Sequence, residues 1–141
     1  MMSLHNEKLH RLLDAFNEGA DQVLRLFDEK AIVEYPYAPA LGLPGTLDMA
    51  AYHRHLTNIL SRMPDIIFSN IRIYPTSEEN TLWAEFHGET FIPPANAKYE
   101  QDYVVKAVFK DEKFIHYREY WNVAPILKSL SGNDAIKTTL V

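Results

Sequence analysis

The chain has no cysteine, and among its 141 residues only 5 are glycine and 2 tryptophan. Without cysteine there is no disulfide framework, no thiolate zinc site and no thiol nucleophile. Long apolar runs are missing too: every stretch falls far short of the ~20 residues that span a bilayer. Charged residues punctuate Met1 to Leu13, where a signal peptide would be apolar. No membrane partner and a cytoplasmic location are the resulting expectations. Positive charge is also scarce, with 14 Lys and Arg against 19 Asp and Glu and a net charge of −5. The basic residues are scattered, and phosphate contacts need them clustered, so a nucleic-acid partner is not expected. There is no glycine-rich phosphate loop and no nucleophile elbow.

What is present fits one globular α+β domain over residues 1–141, with 47% hydrophobic and 23% charged residues and no repeat or linker. Leu4, Leu9, Leu12, Leu13 and Phe16 fall at helical spacing, and Gly19 ends that helix. Val23, Leu24, Leu26 and Phe27 suggest a second short helix. Residues 31–37 read as a strand stopped by the prolines at 36, 39 and 44. Thr46 or Asp48 can cap a third helix reaching Arg62, before Pro64. Residues 66–74, 81–92, 99–110 and 114–123 are long strand candidates separated by the turns 76–80, 93–98 and 111–113. Helices first and hairpins afterwards predict helices packed on one face of an antiparallel sheet.

Alternation along each strand assigns the faces. Tyr99, Gln101, Tyr103, Val105, Ala107 and Phe109 form the inner row of one strand. In the last strand Ile115, Tyr117, Glu119, Trp121 and Val123 share the more apolar row. Leu82, Ala84, Phe86, Gly88, Thr90 and Ile92 are placed inside, which leaves Trp83 and Phe91 outside, to be covered in a homodimer. Glu119 is then one carboxylate in an apolar row, costly to bury unless paired or neutralised. Burial would raise its pKa towards neutrality, as general acid/base chemistry needs. The alternative is a structural role, at a wet rim or tied to a buried Tyr or Arg. Tyr99, Tyr103, Tyr117 and Trp121 either line a ligand or fill the core, and an inward Gln101 needs internal partners if no ligand meets it.

The histidines do not form a metal motif. His53 and His55, two apart on a helix, point in different directions, while His87 and His116 fall on outer faces. Neither a metal nor a cofactor is expected. His55 alone either reaches the cavity or faces solvent.

Several stretches together carry a family resemblance: AIVEYPYAPALGLPG at 31–45, SRMPDIIF at 61–68, LWAEFHGE at 82–89, YEQDYVVKAVFKDEKF at 99–114 and YREYWNVAPIL at 117–127. Their order resembles the SnoaL-like branch of the nuclear transport factor 2-like superfamily, nearest to phenazine-biosynthesis A/B-type proteins. The resemblance implies a cone of helices on a curved sheet around a small-molecule pocket. That family's Arg-Glu-aromatic-x-Asn segment falls on Arg118 to Asn122, so its acid/base glutamate is Glu119. Its cavity histidine, eight residues before a Pro-containing segment at 63–65, falls on His55. A cavity serine of the family is Ile59 here, which implies a less polar ligand, and its Gly-Arg is Gly45-Thr46. The functions implied are a cofactor-independent isomerase, cyclase or condensation enzyme acting on a small apolar or cyclic carbonyl compound, or a non-catalytic binding protein. A dimerisation module whose pocket is filled by its own side chains is a third reading.

Overall fold

The computed structural model describes residues 3–92 and 96–132, with 128–132 described by backbone alone. Helix α1 (Leu4–Ala15) starts where the Ser3 hydroxyl accepts from the Asn6 N–H. Its Leu9, Leu12 and Leu13 are buried against the sheet, and His5 stacks on Phe109 with ring centres 4.3 Å apart. Helix α2 is Ala20–Leu24. It stops short of Leu26 and Phe27, which helical spacing assigns to it. Phe27 instead opens strand β1 (Phe27–Glu34) and packs between Tyr52, Phe114 and Tyr117. That strand ends at Glu34 rather than at Tyr37. The loop behind it holds a 3₁₀ turn (Pro39–Leu41) and is closed by the Tyr35 N–H donating to Gly45 O at 2.8 Å. Gly45 is needed there, because a Cβ would lie 2.7 Å from Pro39 Cγ.

Thr46 belongs to a two-residue strand β2 (Thr46–Leu47), and Asp48 is the cap of α3 (Met49–Leu60), accepting from the Ala51 N–H at 2.8 Å. Strands β3 (Ile67–Pro75), β4 (Thr81–Ile92), β5 (Ala97–Lys110) and β6 (Lys113–Trp121) follow as consecutive antiparallel hairpins. Part of the expected 93–98 turn, residues 93–95, lies outside the described residues. The sheet order is β2-β1-β6-β5-β4-β3, curved round the helices. It is not wholly antiparallel, since β1 runs parallel to β6. The last strand also ends early: Val123 starts helix α4 (Val123–Gly132), whose backbone is capped by Asn122 Oδ1 accepting from Ala124 N. No helix among the described residues is long and apolar enough to cross a membrane.

The inner rows of β4 and β5 are as alternation predicts, with Leu82, Ala84, Phe86, Val105, Ala107 and Phe109 buried. One change of phase occurs in β6. The register steps from Val108↔His116 to Phe109↔Phe114, so Ile115 is an extra, bulged residue. Phe114 is therefore fully buried and Ile115 only half-buried, the reverse of simple alternation. Beyond the bulge, Tyr117, Glu119 and Trp121 share the inner face as expected. This phase predicts that Phe114→Ala costs about 3–5 kcal/mol in a denaturant titration, well above the cost of Ile115→Ala. The opposite ranking would mean the bulge is misplaced.

Candidate active site

Helix α3, the 35–47 loop and the inner face of the sheet enclose a cavity of ≈ 450 Å³. That is within the usual range for small-molecule sites, roughly 300–1,000 Å³. Of the residues anticipated from sequence, His55, Ile59, Tyr99, Gln101, Tyr103, Glu119 and Trp121 line it. Tyr117 is not among the lining residues. It sits in the core, 1% exposed, edge-on to Phe27 and Phe114, and no described group pairs with its hydroxyl.

The walls follow from local sequence. Tyr52, His55, Leu56 and Ile59 recur at helical spacing on α3 and share its cavity face. His53 points the other way, to Asp21 of α2 at 2.8 Å. The far wall is aromatic: Phe68 meets Phe86 edge-on, and Phe86 stacks on Tyr103 with ring centres 5.1 Å apart. Gly88 makes room for this, because a Cβ there would stand 3.2 Å from both Phe68 and Tyr103. Trp121 lies at the rim, its ring edge-on to Tyr37.

Glu119 is half-buried, and what it exposes faces the cavity. Among the described residues no side chain donates to its carboxylate and no cation pairs with it. Desolvation alone pushes its pKa from 4.5 up to about 8. The surrounding phenols respond in kind. Burial first, and the nearby Glu119 charge second, hold Tyr103 and Tyr117 well above the ordinary phenol range. Tyr52 is raised for the same two reasons. Burial also pushes Tyr99 up to about 12. All of them are protonated at neutral pH. Burial lowers the His55 pKa, so the ring is neutral, and it leans on Tyr35 with ring centres 5.7 Å apart.

Gln101 finds the internal partners that an inward amide needs. Its Nε2 donates to Tyr99 Oη and to Asn122 O, both at 2.9 Å. Its Oε1 accepts from Asp102 N at 3.0 Å and Asn122 N at 2.7 Å. Two cavity tyrosines escaped the sequence reading. Tyr52 was visible in the α3 spacing, whereas Tyr35, just past a strand end, carried no periodic signal.

The outer histidines have other partners. His116 pairs with Glu34, whose carboxyl it holds below the usual range with help from Arg118. His87 is brought by strand register beside Asp102 and Glu100. With Glu89 and Glu100 it forms a grouping of metal-ligand type, atoms within 4.8 Å, that sequence spacing did not reveal. Lys98 Nζ already lies 3.3 Å from Glu89 and 3.6 Å from Glu100, so this outer patch carries its own cation.

The helices on a curved sheet around a cavity define a nuclear transport factor 2-like cone. A SnoaL-like domain model matches residues 9–117, and the chain belongs to that family. It is similar to the uncharacterised protein YesE of Bacillus subtilis, 28% identical over 109 residues, 77% of this chain and 74% of that protein. An uncharacterised PhzA/B-like protein of Pseudomonas aeruginosa is 27% identical over 121 residues, 78% of this chain and 77% of that one. Among solved structures, a Bacillus subtilis protein described as a proposed isomerase aligns with a TM-score of 0.78 and 25% identity, over 94% of this chain and 98% of that chain.

The Glu119 carboxyl has a consequence for stability. Between pH 4.5 and about 8 the folded chain holds a proton that the unfolded chain has lost. Stability therefore falls as pH rises across that window, by up to about 1.4 kcal/mol per pH unit. Glu119→Gln should match the wild type in thermal midpoint below this window and exceed it above. Parallel pH profiles for the two proteins would show that Glu119 is not desolvated.

Proposed function

We propose that the protein is a cofactor-independent acid/base enzyme acting on a small apolar or cyclic carbonyl compound. The observation that carries this reading is an unpaired carboxyl facing an apolar cavity with its pKa near 8. Such a group exists in both protonation states near neutral pH and can take a proton from carbon and return it elsewhere. Phenols held protonated around it, and neutral His55, are suited to polarise the oxygen of a carbonyl whose α-proton Glu119 removes. Isomerisation, cyclisation and condensation all begin with that step. Family membership and the relative proposed to be an isomerase lean the same way.

The test needs no knowledge of the natural substrate. In deuterated buffer the wild type should speed exchange of the α-protons of β-tetralone, followed by nuclear magnetic resonance. The rate should climb with pH and level off above about 8, as the carboxylate form fills. Glu119→Gln should bind the ketone but exchange it about a hundredfold more slowly or worse. Equal rates in the two proteins would remove Glu119 as the base. Binding without accelerated exchange in the wild type would favour the sequestering protein, a reading supported by Ile59 and the apolar walls.

The homodimer belongs to the same proposal. On the outer face Trp83 stacks on Tyr120, and Phe91 and Val104 are exposed on that same face. A second copy covering this face would hide those side chains. Sedimentation should show a dimer that Trp83→Glu converts to monomer, and a monomeric wild type at micromolar concentration would end the idea.

A further inference from the structure

The hydrogen-bond wiring of Gln101 determines more than the local fold. Its amide cannot be turned over. Flipped, Nε2 would face the N–H groups of Asp102 and Asn122, and Oε1 would face the carbonyl of Asn122. Nε2 therefore has one hydrogen committed to Asn122 O and the other to Tyr99 Oη. A phenol oxygen that accepts from an amide keeps its own hydrogen for a different acceptor. Tyr99 lines the cavity and is 7% exposed, and no described group accepts from it.

We infer that Tyr99 is a dedicated hydrogen-bond donor to a ligand oxygen, set in that sense by Gln101, so that the cavity selects neutral compounds carrying an acceptor oxygen. This rests on the small-molecule reading of the cavity and narrows it. A carbonyl or ether oxygen satisfies Tyr99. A hydrocarbon leaves it unpaired, and a ligand carboxylate would be desolvated in the same apolar space as Glu119. Gln101 acts through Tyr99 and is a positioning residue. The same amide holds Asn122, which caps α4, and α4 contributes Ile126 to the cavity wall.

Two compounds of nearly equal shape serve as probes, β-tetralone and tetralin, the second lacking the oxygen. Their affinities can be read from quenching of tryptophan fluorescence, Trp121 being in the cavity wall. The infrared stretch of an isotope-labelled β-tetralone carbonyl gives an independent readout. The wild type should prefer the ketone by roughly threefold to tenfold, with the bound stretch shifted down from its value in an apolar solvent. Tyr99→Phe should shrink the preference and move the stretch back up, with tetralin affinity kept or raised because no hydroxyl is left unpaired. Gln101→Glu keeps an acceptor for the two backbone N–H groups and, buried and protonated on its other oxygen, still donates to Asn122 O while turning a lone pair of that oxygen towards Tyr99. The phenol then donates to the introduced carboxyl and not to the ligand, so the same loss should appear with the phenol intact.

A ketone preference and shifted stretch that survive in Tyr99→Phe overturn the inference, as do equal wild-type affinities. Retention in Gln101→Glu overturns the role of Gln101 alone. If neither compound binds the wild type, the inference falls with the small-molecule reading. Since no turnover is measured, failure of Glu119 as a base leaves these outcomes readable.

Discussion

The phase of β6 against β5 is the constraint on which the site depends. Side chains on a strand alternate, so a slip of one residue would send Glu119 outside and bring Arg118 into the cavity. What prevents the slip is packing on both sides of the Ile115 bulge. Phe114, Tyr117 and Phe27 interlock behind it. At the other end of the strand the Gln101 amide grips both backbone groups of Asn122. A strand pinned at both ends carries Glu119 between them. Burying the carboxyl is costly, and the buried aromatic core around Phe114 and Tyr117 offsets that cost. The parallel strand β1 adds a further tie, pairing Val33 with Tyr117 and Glu34 with Arg118.

Within that frame the sheet carries Glu119 on β6 and the phenols Tyr99 and Tyr103 on β5, and α3 adds Tyr52 and His55. Helix α3 and the 35–47 loop provide most of the apolar wall, with Leu43, Pro44, Leu56 and Ile59. Changing that wall alters the volume and shape offered to a ligand without moving the carboxyl.

Much of this was legible in the sequence because it depends on parity and period, which are local. Alternation alone identified Glu119 as the inward acid and placed the β4 and β5 rows correctly. Helical spacing left His55 open to either side of α3; the family resemblance pointed His55 and Ile59 to the cavity, on the face that also holds the overlooked Tyr52. The misreadings are of non-local or irregular features. A bulge breaks parity without a sequence mark, so Phe114 and Ile115 were exchanged. The pairing of β1 with β6 joins segments some eighty residues apart in sequence and no short-range pattern encodes it. Val123 continues the apolar row of β6 and reads as strand, yet Pro125 behind it falls in a first helical turn, where a missing N–H costs nothing. The Leu26–Phe27 pair could continue a helix or open a strand, and the three aromatic partners of Phe27 decided for the strand.

Gln101 illustrates how a structural solution becomes a chemical one. An amide on an inward row must satisfy two donors and two acceptor lone pairs, and three of those four requirements are met by backbone groups of Asp102 and Asn122. Those three fix its orientation. The fourth, a hydrogen left over, falls on Tyr99 and sets the sense of that hydroxyl. Backbone satisfaction at a strand end thus reaches the cavity as a directional preference. Glu119 could change its proton with pH, and His55 could change its tautomer. The donor sense of Tyr99 has no such freedom, because reversing it would break the three hydrogen bonds that Gln101 makes to the backbone.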